Sequence, residues 1–342
     1  MANQRPFDPP ARPRGNAIAQ LMKAAAEGDL GRAIALATKR RSHSVNSREQ
    51  TPLMLASIGG WDRCVNALIP FSDTRQVDEL GRSALSLAAK YGRAGCVRAL
   101  LPLSDPNTED MDGRNALMSA AANGHAECAG LLMPETMLSA RDGDQQTAFE
   151  LAAGSGSVEC LRLFLAALPP LDLAAAPRIA DYVVSSGSVA SLLAIEAPLK
   201  ASFSASSEPA ALAADVWSDL VKSAARAGQI DMLEVLLPRY ALGLRELSIS
   251  EPRVEGGCAC FSMVEAAAQS GSPACVKFLL NQLGCEAFVR GALARGPLTE
   301  KFRERIGERG AALLRRALAE LERDSISSVL TSERRSRRRP RL

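Results

Sequence analysis

The chain has 342 residues, 47% of them hydrophobic but only 4% aromatic, and a formal net charge of +3. A core of Ala, Leu and Val suits closely packed helices better than a β-sandwich. The charge is divided: residues 286–342 hold 15 Lys/Arg against 8 Asp/Glu (+7), leaving 26 against 30 (−4) for the rest, so basic character belongs to the C-terminal part alone.

In chain order, residues 1–15 carry four prolines and no apolar core of signal-peptide length, and are expected to be a disordered Pro-rich leader. Eight cysteines without a secretory signal point to free thiols in a reducing compartment, with a cytoplasmic location expected and a nuclear one as alternative. Residues 16–45, with "LMKAAAEGDLGRAIAL" at 21–36, are expected to form an N-terminal capping unit.

Four segments then align without a gap: 51–70, 83–102, 115–134 and 147–166. Gly60, Gly92, Gly124 and Gly156 are 32 residues apart, and so are Cys64, Cys96, Cys128 and Cys160. Within each unit Leu53, Leu55, Ala56 and their counterparts predict a short helix with one apolar stripe. The small pairs Ala88-Ala89, Ala120-Ala121 and Ala152-Ala153 allow a neighbouring helix to approach closely, and the following Gly suits a left-handed helix end. A second helix follows, with Cys96, Val97, Leu100 and Leu101 predicted to face inward, and Pro70, Pro102 and Pro134 are expected to stop it. One such hairpin cannot bury its face alone, so the units must stack.

Weaker copies occur at 179–195, 220–238 and 263–280 within a degenerate region, 169–285. The Ser/Ala-rich stretch 200–215 and residues 242–260 read as insertions between these copies. No run approaches 18 uninterrupted apolar residues; 161–177 is broken by Arg162, Pro169, Pro170 and Asp172, so no membrane span is expected. Residues 286–330 form a C-terminal helical segment in which Phe302, Ile306, Leu313, Leu314, Ala317, Leu318 and Leu321 recur at helical spacing. They predict a cap on the stack, with a short coiled coil as alternative. Residues 331–342 are expected to be a basic disordered tail, with six arginines in 334–342.

The regular units resemble the ankyrin repeat. Asp78, Gly81, Ser83, Leu85, Leu87-Ala88-Ala89 and Gly92 carry the resemblance in the second, and Asp110, Gly113, Asn115, Leu117, Ala120-Ala121 and Gly124-His125 in the third. It covers 46–168. The usual Gly-rich finger after the second helix is replaced by Pro and a varied turn, and Thr-Pro-Leu-His survives only as Thr51-Pro52-Leu53-Met54. The resemblance implies an all-α, ankyrin-type helical-hairpin solenoid with degenerate flanking repeats and a helical C-terminal cap.

The stretch His125-Ala126-Glu127-Cys128 contains H-x-E, the opening half of a zinc deaminase signature. Its completion, P-C-x-x-C, is lacking: Cys258-Ala259-Cys260 is C-x-C, and Pro273-Ala274-Cys275 has no second cysteine. Trp61, Arg93 and Ser157 align with His125, so no shared chemistry demands a histidine there. Helices packed about 8–10 Å apart hold the periodic thiols beyond the reach of a common zinc or a disulfide. These cysteines are expected to be core residues. No P-loop, nucleophile elbow, kinase set or H-E-x-x-H occurs. No catalytic residue, metal site or cofactor is expected, and Cys258, Cys260, Cys275 and Cys285 are read as packing residues.

The resemblance implies a non-catalytic adaptor or scaffold, a monomer that binds a protein through turn tips and a concave face of first helices. By aligned position the turn set is Ser47, Arg48, Gln50, Glu79, Leu80, Arg82, Met111, Asp112, Arg114, Asp144 and Gln146; the helix set is Ile58, Lys90, Tyr91, Ala122, Asn123 and Ser155. Tyr91 with Arg82 and Arg114 is the expected hot spot, since exposed Tyr and Arg are favoured anchors. The alternative is a nuclear or nucleic-acid-associated factor whose tail, 334–342, engages polyanions or an acidic surface.

Overall fold

The computed structural model describes residues 14–38, 42–167, 175–204, 209–246, 259–283, 289, 304 and 306–323. It contains two compact units, Met1–Ala167 and Leu168–Leu342. The described residues are helices and turns, with a single isolated antiparallel bridge between Val77 and Ser83.

The described residues of the first unit form five helical hairpins. They are α1 (Arg14–Glu27) with α2 (Leu30–Leu36), α3 (Pro52–Gly59) with α4 (Asp62–Leu68), α5 (Ala84–Lys90) with α6 (Ala94–Leu100), α7 (Ala116–Ala122) with α8 (Ala126–Leu132), and α9 (Ala148–Ser155) with α10 (Val158–Ala167). First helices pack on first helices, and second helices on second helices, so the unit has two layers. Most of these helices span seven or eight residues, too short to persist alone in water. Tertiary burial holds them: Leu85, Leu87, Cys96, Val97 and Leu100 of one hairpin are wholly buried. At about 1.5–3 kcal/mol for each fully buried aliphatic side chain, one hairpin gains on the order of 10 kcal/mol to set against its chain entropy.

Helix starts and stops follow the residues. Thr51, Ser83, Asn115 and Thr147 accept from the backbone N–H three residues on, and Glu150 returns the bond to Thr147 to complete a capping box. Gly60, Gly92, Gly124 and Gly156 take φ between 70° and 79° at the helix ends. The prolines do not simply stop the second helices. Pro70, Pro102 and Pro134 sit at the second position of short 3-10 turns, Ile69–Phe71, Leu101–Leu103 and Met133–Glu135. That tightening leaves Leu101 half-buried instead of inward-facing.

The second unit is built from longer helices: α11 (Ala175–Ser186), α12 (Val189–Ser204), α13 (Pro209–Ala227), α14 (Ile230–Glu246), α15 (Ala259–Ser270), α16 (Pro273–Leu283) and α17 (306–323). The hairpin layering persists, α11 on α13 on α15 and α12 on α14 on α16. Gly187, Gly228 and Gly271 take the same left-handed conformation as the glycines of the regular array. The expected linker at 200–215 is corrected. α12 continues to Ser204 and α13 begins at Pro209, because Ala, Leu and Lys are good helix formers and an N-terminal proline forfeits no helical bond. The second insertion likewise narrows, α14 reaching Glu246 and α15 starting at Ala259. In α17, Ile306, Leu314, Ala317, Leu318 and Leu321 are buried, and a Cβ at Gly310 would stand 3.5 Å from Ala268 of α15. Phe302, the leader 1–13 and the tail 331–342 lie outside the described residues.

Candidate protein-binding surface

The turns between repeats are built by one side chain used four times. Asn46, Asp78, Asp110 and Asp142 each present Oδ1 to the backbone N–H groups two and four residues on, at 2.8–3.1 Å. This Asx geometry closes each turn. Neighbouring turns are joined along their backbones: Glu79 N–H donates to Arg48 C=O, Met111 to Leu80, and Gly143 to Asp112, at 3.2, 3.0 and 2.8 Å. The fourth turn residue is left-handed throughout. Gly81 and Gly113 supply this without strain, whereas Glu49 (φ 59°) and Gln145 (φ 62°) hold it against the steric preference of an L residue.

On this ladder the expected contact residues separate. Arg48, Glu79, Leu80, Met111, Asp112 and Asp144 project from the tips and are exposed. Tyr91 and Asn123 are exposed at the ends of the first helices, where Ile58, Lys90, Ala122 and Ser155 are half-buried. Leu80, Met111 and Tyr91 are 43%, 75% and 43% exposed, and the backbone bond from Met111 to Leu80 makes those two residues neighbours.

Three expectations need correction. Gln50 is only 6% exposed, its side-chain oxygen accepting from Asn46 Nδ2 at 3.2 Å, so it closes the first turn from inside. Arg82 is not a free anchor: its Nη2 and Nε lie 2.6 and 3.0 Å from Asp78 Oδ2. Burial alone would raise the Asp78 carboxyl, but the Arg82 guanidinium and the N–H groups of Arg82 and Leu80 outweigh it and hold it below its ordinary value. Arg114 reaches into the next repeat instead, its Nε 3.0 Å from Asp142 Oδ2. Both arginines therefore staple turns, so two of the three members of the expected Tyr91–Arg82–Arg114 hot spot are already ion-paired. Gln146 is half-buried and donates its N–H to Asp142. An Asx residue every 32 positions, followed four later by Arg at Asp78 and Asp110, was the signal for these staples, legible only for the turn and not for which carboxylate each Arg would choose.

The residues of the H-A-E-C stretch diverge. His125 Nε2 lies 3.1 Å from the Lys90 carbonyl of the preceding repeat, its ring over Gly92. Glu127 is exposed and Cys128 is buried. The column aligned with His125 does share chemistry, contrary to the sequence reading. Trp61 Nε1 donates to Ala26 C=O at 3.1 Å, and Arg93 Nε to Ile58 C=O at 3.0 Å. Each ring or guanidine N–H thus caps a carbonyl 35 residues back, at the end of the previous first helix. Their planar groups cover glycines: a Cβ at Gly92 would stand 2.6 Å from His125 Nδ1. Ser157, too short to reach back, caps its own helix by accepting from Cys160 N–H.

Cys64, Cys96, Cys128, Cys160 and Cys275 are free and buried. Burial pushes the Cys128 and Cys275 thiols up to about 11. Burial also raises Cys96, whose Sγ lies 3.1 Å from Asp62 Oδ1. Cys258 and Cys285 and the side chain of Cys260 lie outside the described residues. Among the described residues no cluster of three His, Cys, Asp or Glu could hold a metal ion, and no helix is long and apolar enough to cross a membrane.

A family model for ankyrin repeats (3 copies) matches residues 21–110 and, in a second match, 95–172. No curated protein matches the chain.

Proposed function

We propose that this chain, an ankyrin repeat protein over residues 21–172, is a non-catalytic adaptor or scaffold that holds a protein partner on its turn tips and first helices. Ankyrin repeats are in general protein–protein interaction modules. The observation that carries the reading here is the placement of three large side chains that packing does not require to be exposed: Leu80 and Met111 on the backbone ladder of the turn tips, and Tyr91 at the end of a first helix. Exposed aromatic and apolar groups on a rigid frame bind with little ordering cost. Free buried thiols agree with work in a reducing compartment, the cytoplasm or nucleus.

Affinity capture with the intact chain, alongside a Tyr91→Ala/Met111→Ala variant, tests the reading. A partner retained by the first and lost by the second is the expected result; equal retention by both would place the binding surface elsewhere. A second reading rests on the six arginines of 334–342, which suit a polyanion or acidic surface. Deleting 333–342 should then abolish a salt-sensitive association with nucleic acid, and an intact chain indifferent to polyanions ends that reading.

A further inference from the structure

The tips of the second, third and fourth regular turns, 78–82, 110–114 and 142–146, carry six carboxylates and two guanidiniums. Both guanidiniums are consumed within the ladder, Arg82 on Asp78 and Arg114 on Asp142, and both of these aspartates are buried. What remains at these tips toward solvent is an excess of negative charge. Glu79, Asp112 and Asp144 are exposed and form no ion pair among the described residues. Asp110 spends Oδ1 on the N–H groups of Asp112 and Arg114, and the arginine that follows it turns to the next repeat. The apolar pair Leu80 and Met111 sits in the middle of this rim, joined by the 3.0 Å backbone bond. Exposed Arg48, whose carbonyl accepts from Glu79 N–H, and exposed Arg141, which donates to the Gln145 carbonyl of the fourth turn, mark the basic ends of the strip.

We infer that this strip takes a basic, extended peptide segment of a partner protein, with one large apolar side chain seated on Leu80 and Met111 and flanking Lys or Arg side chains over Glu79, Asp112 and Asp144. The inference rests on the protein-binding function proposed above and specifies the chemistry of the partner. Three features favour that occupant. An apolar contact at the centre of a charged rim matches the usual anatomy of a small interface. Between the basic ends the exposed charges of the tips, Glu79, Asp112 and Asp144, have one sign, so a basic segment is steered onto them and an acidic one repelled. The spacing also fits: successive tips are joined as neighbours in a ladder, about 10 Å apart in a helical stack, or three residues of extended chain.

The test is selection of a displayed random peptide library on the full-length protein, with enriched peptides then measured by fluorescence anisotropy. The variants are Leu80→Ala/Met111→Ala, Asp112→Lys/Asp144→Lys and Tyr91→Ala. All alter exposed side chains that cap nothing, so folding is monitored by circular dichroism only as a control. Enriched peptides should be net basic with a large apolar residue, and either double variant should weaken them about tenfold or more. Raising salt from about 50 to about 300 mM should weaken the wild type, whereas any residual binding by Asp112→Lys/Asp144→Lys should strengthen as its repulsion of the basic peptide is screened. Peptides that are acidic or uncharged yet lost on Leu80→Ala/Met111→Ala would overturn the basic partner while leaving the binding surface standing. Peptides unaffected by all three variants would remove both. Binding that appears only after deletion of 334–342 would assign the strip to the chain's own arginines and overturn the inference.

Discussion

Replacing Asp78 by Asn isolates the ion pair in the second turn from the turn itself. Asp78 Oδ1 accepts from Leu80 and Arg82 N–H at 3.1 and 2.9 Å, and Oδ2 takes the Arg82 guanidinium. Asn46, the aligned residue one repeat earlier, makes the two backbone bonds as an amide, both at 2.9 Å, so Asp78→Asn keeps the turn. What is lost is a charge-assisted hydrogen-bonded pair in which the carboxylate is fully buried and the arginine 14% exposed. Such bonds contribute about 1.5–3 kcal/mol; discounting for the residual solvent access of Arg82 leaves about 1–2 kcal/mol at neutral pH. Asp78→Ala also abandons two backbone donors and should cost about 3 kcal/mol. The sign of the pH dependence follows from the lowered carboxyl. A depressed folded-state value contributes stability above the ordinary carboxylate pKa of about 3.9, and that contribution is lost as pH falls through the folded value. The penalty of Asp78→Asn should therefore be largest near neutrality and shrink on acidification. Urea unfolding at about pH 7 and about pH 3, with hydrogen exchange at 78–82 as a local probe, measures both quantities. An Asn penalty independent of pH, or an Ala variant no worse than the Asn variant, would refute the assignment.

Other consequences can be measured in the same way. Gly113→Ala forces a left-handed L residue and brings a Cβ to 2.9 Å from the Gly143 backbone nitrogen, so it should lower stability by about 2 kcal/mol. Gln145→Gly relieves that conformation in the next turn and should raise stability by about 0.5 kcal/mol after the extra unfolded-state entropy is subtracted; denaturation midpoints that move in the same direction for both variants would contradict the reading. Trp61→Ala uncovers Gly28 and frees the Ala26 carbonyl. With 42% of the residue already exposed, about 100 Å² of ring burial is lost, or about 2–3 kcal/mol, seen as faster exchange in 21–36. The raised thiols of Cys128 and Cys275 imply almost no thiolate at about pH 8; disulfide reagents should label them only on unfolding. Stability should also fall as pH rises above the ordinary thiol value of about 8.5, where the unfolded chain ionises first.

Much of the fold was legible because its determinants are local and repeated. Gly60, Gly92, Gly124 and Gly156 marked helix ends by their spacing alone, and each is left-handed. Cys64, Cys96, Cys128 and Cys160 read as core and are buried. The reading faltered where a polar side chain had to choose a partner. Arg82 and Arg114 occupy equivalent positions, yet one closes on its own turn and the other on the next. Their sequence neighbourhoods are nearly the same, so only the packed neighbour decides. Gln50 looked like a tip residue because nothing in its spacing shows that Asn46 folds over it. The stretch 200–215 looked like a linker because Ser and Pro are read as breakers, while the two helices that run into it meet packing partners far away in sequence.

The repeating unit is written in the chain itself: a hairpin of two short helices, its caps, its left-handed glycines and the face it must bury. These depend on backbone sterics and on apolar spacing within about 32 residues, which a linear chain displays directly. What happens across the joints emerges only once the hairpins are stacked. His125, Arg93 and Trp61 share no obvious property until each N–H is seen against a carbonyl 35 residues back. The same stacking draws Arg114 onto Asp142 of the next repeat, while Arg82 closes on Asp78 of its own turn, and Leu80 and Met111 stay exposed among carboxylates. Hydrogen bonds and ion pairs are short-ranged and directional, so their partners are set by which surfaces meet and not by how far apart the residues lie along the chain.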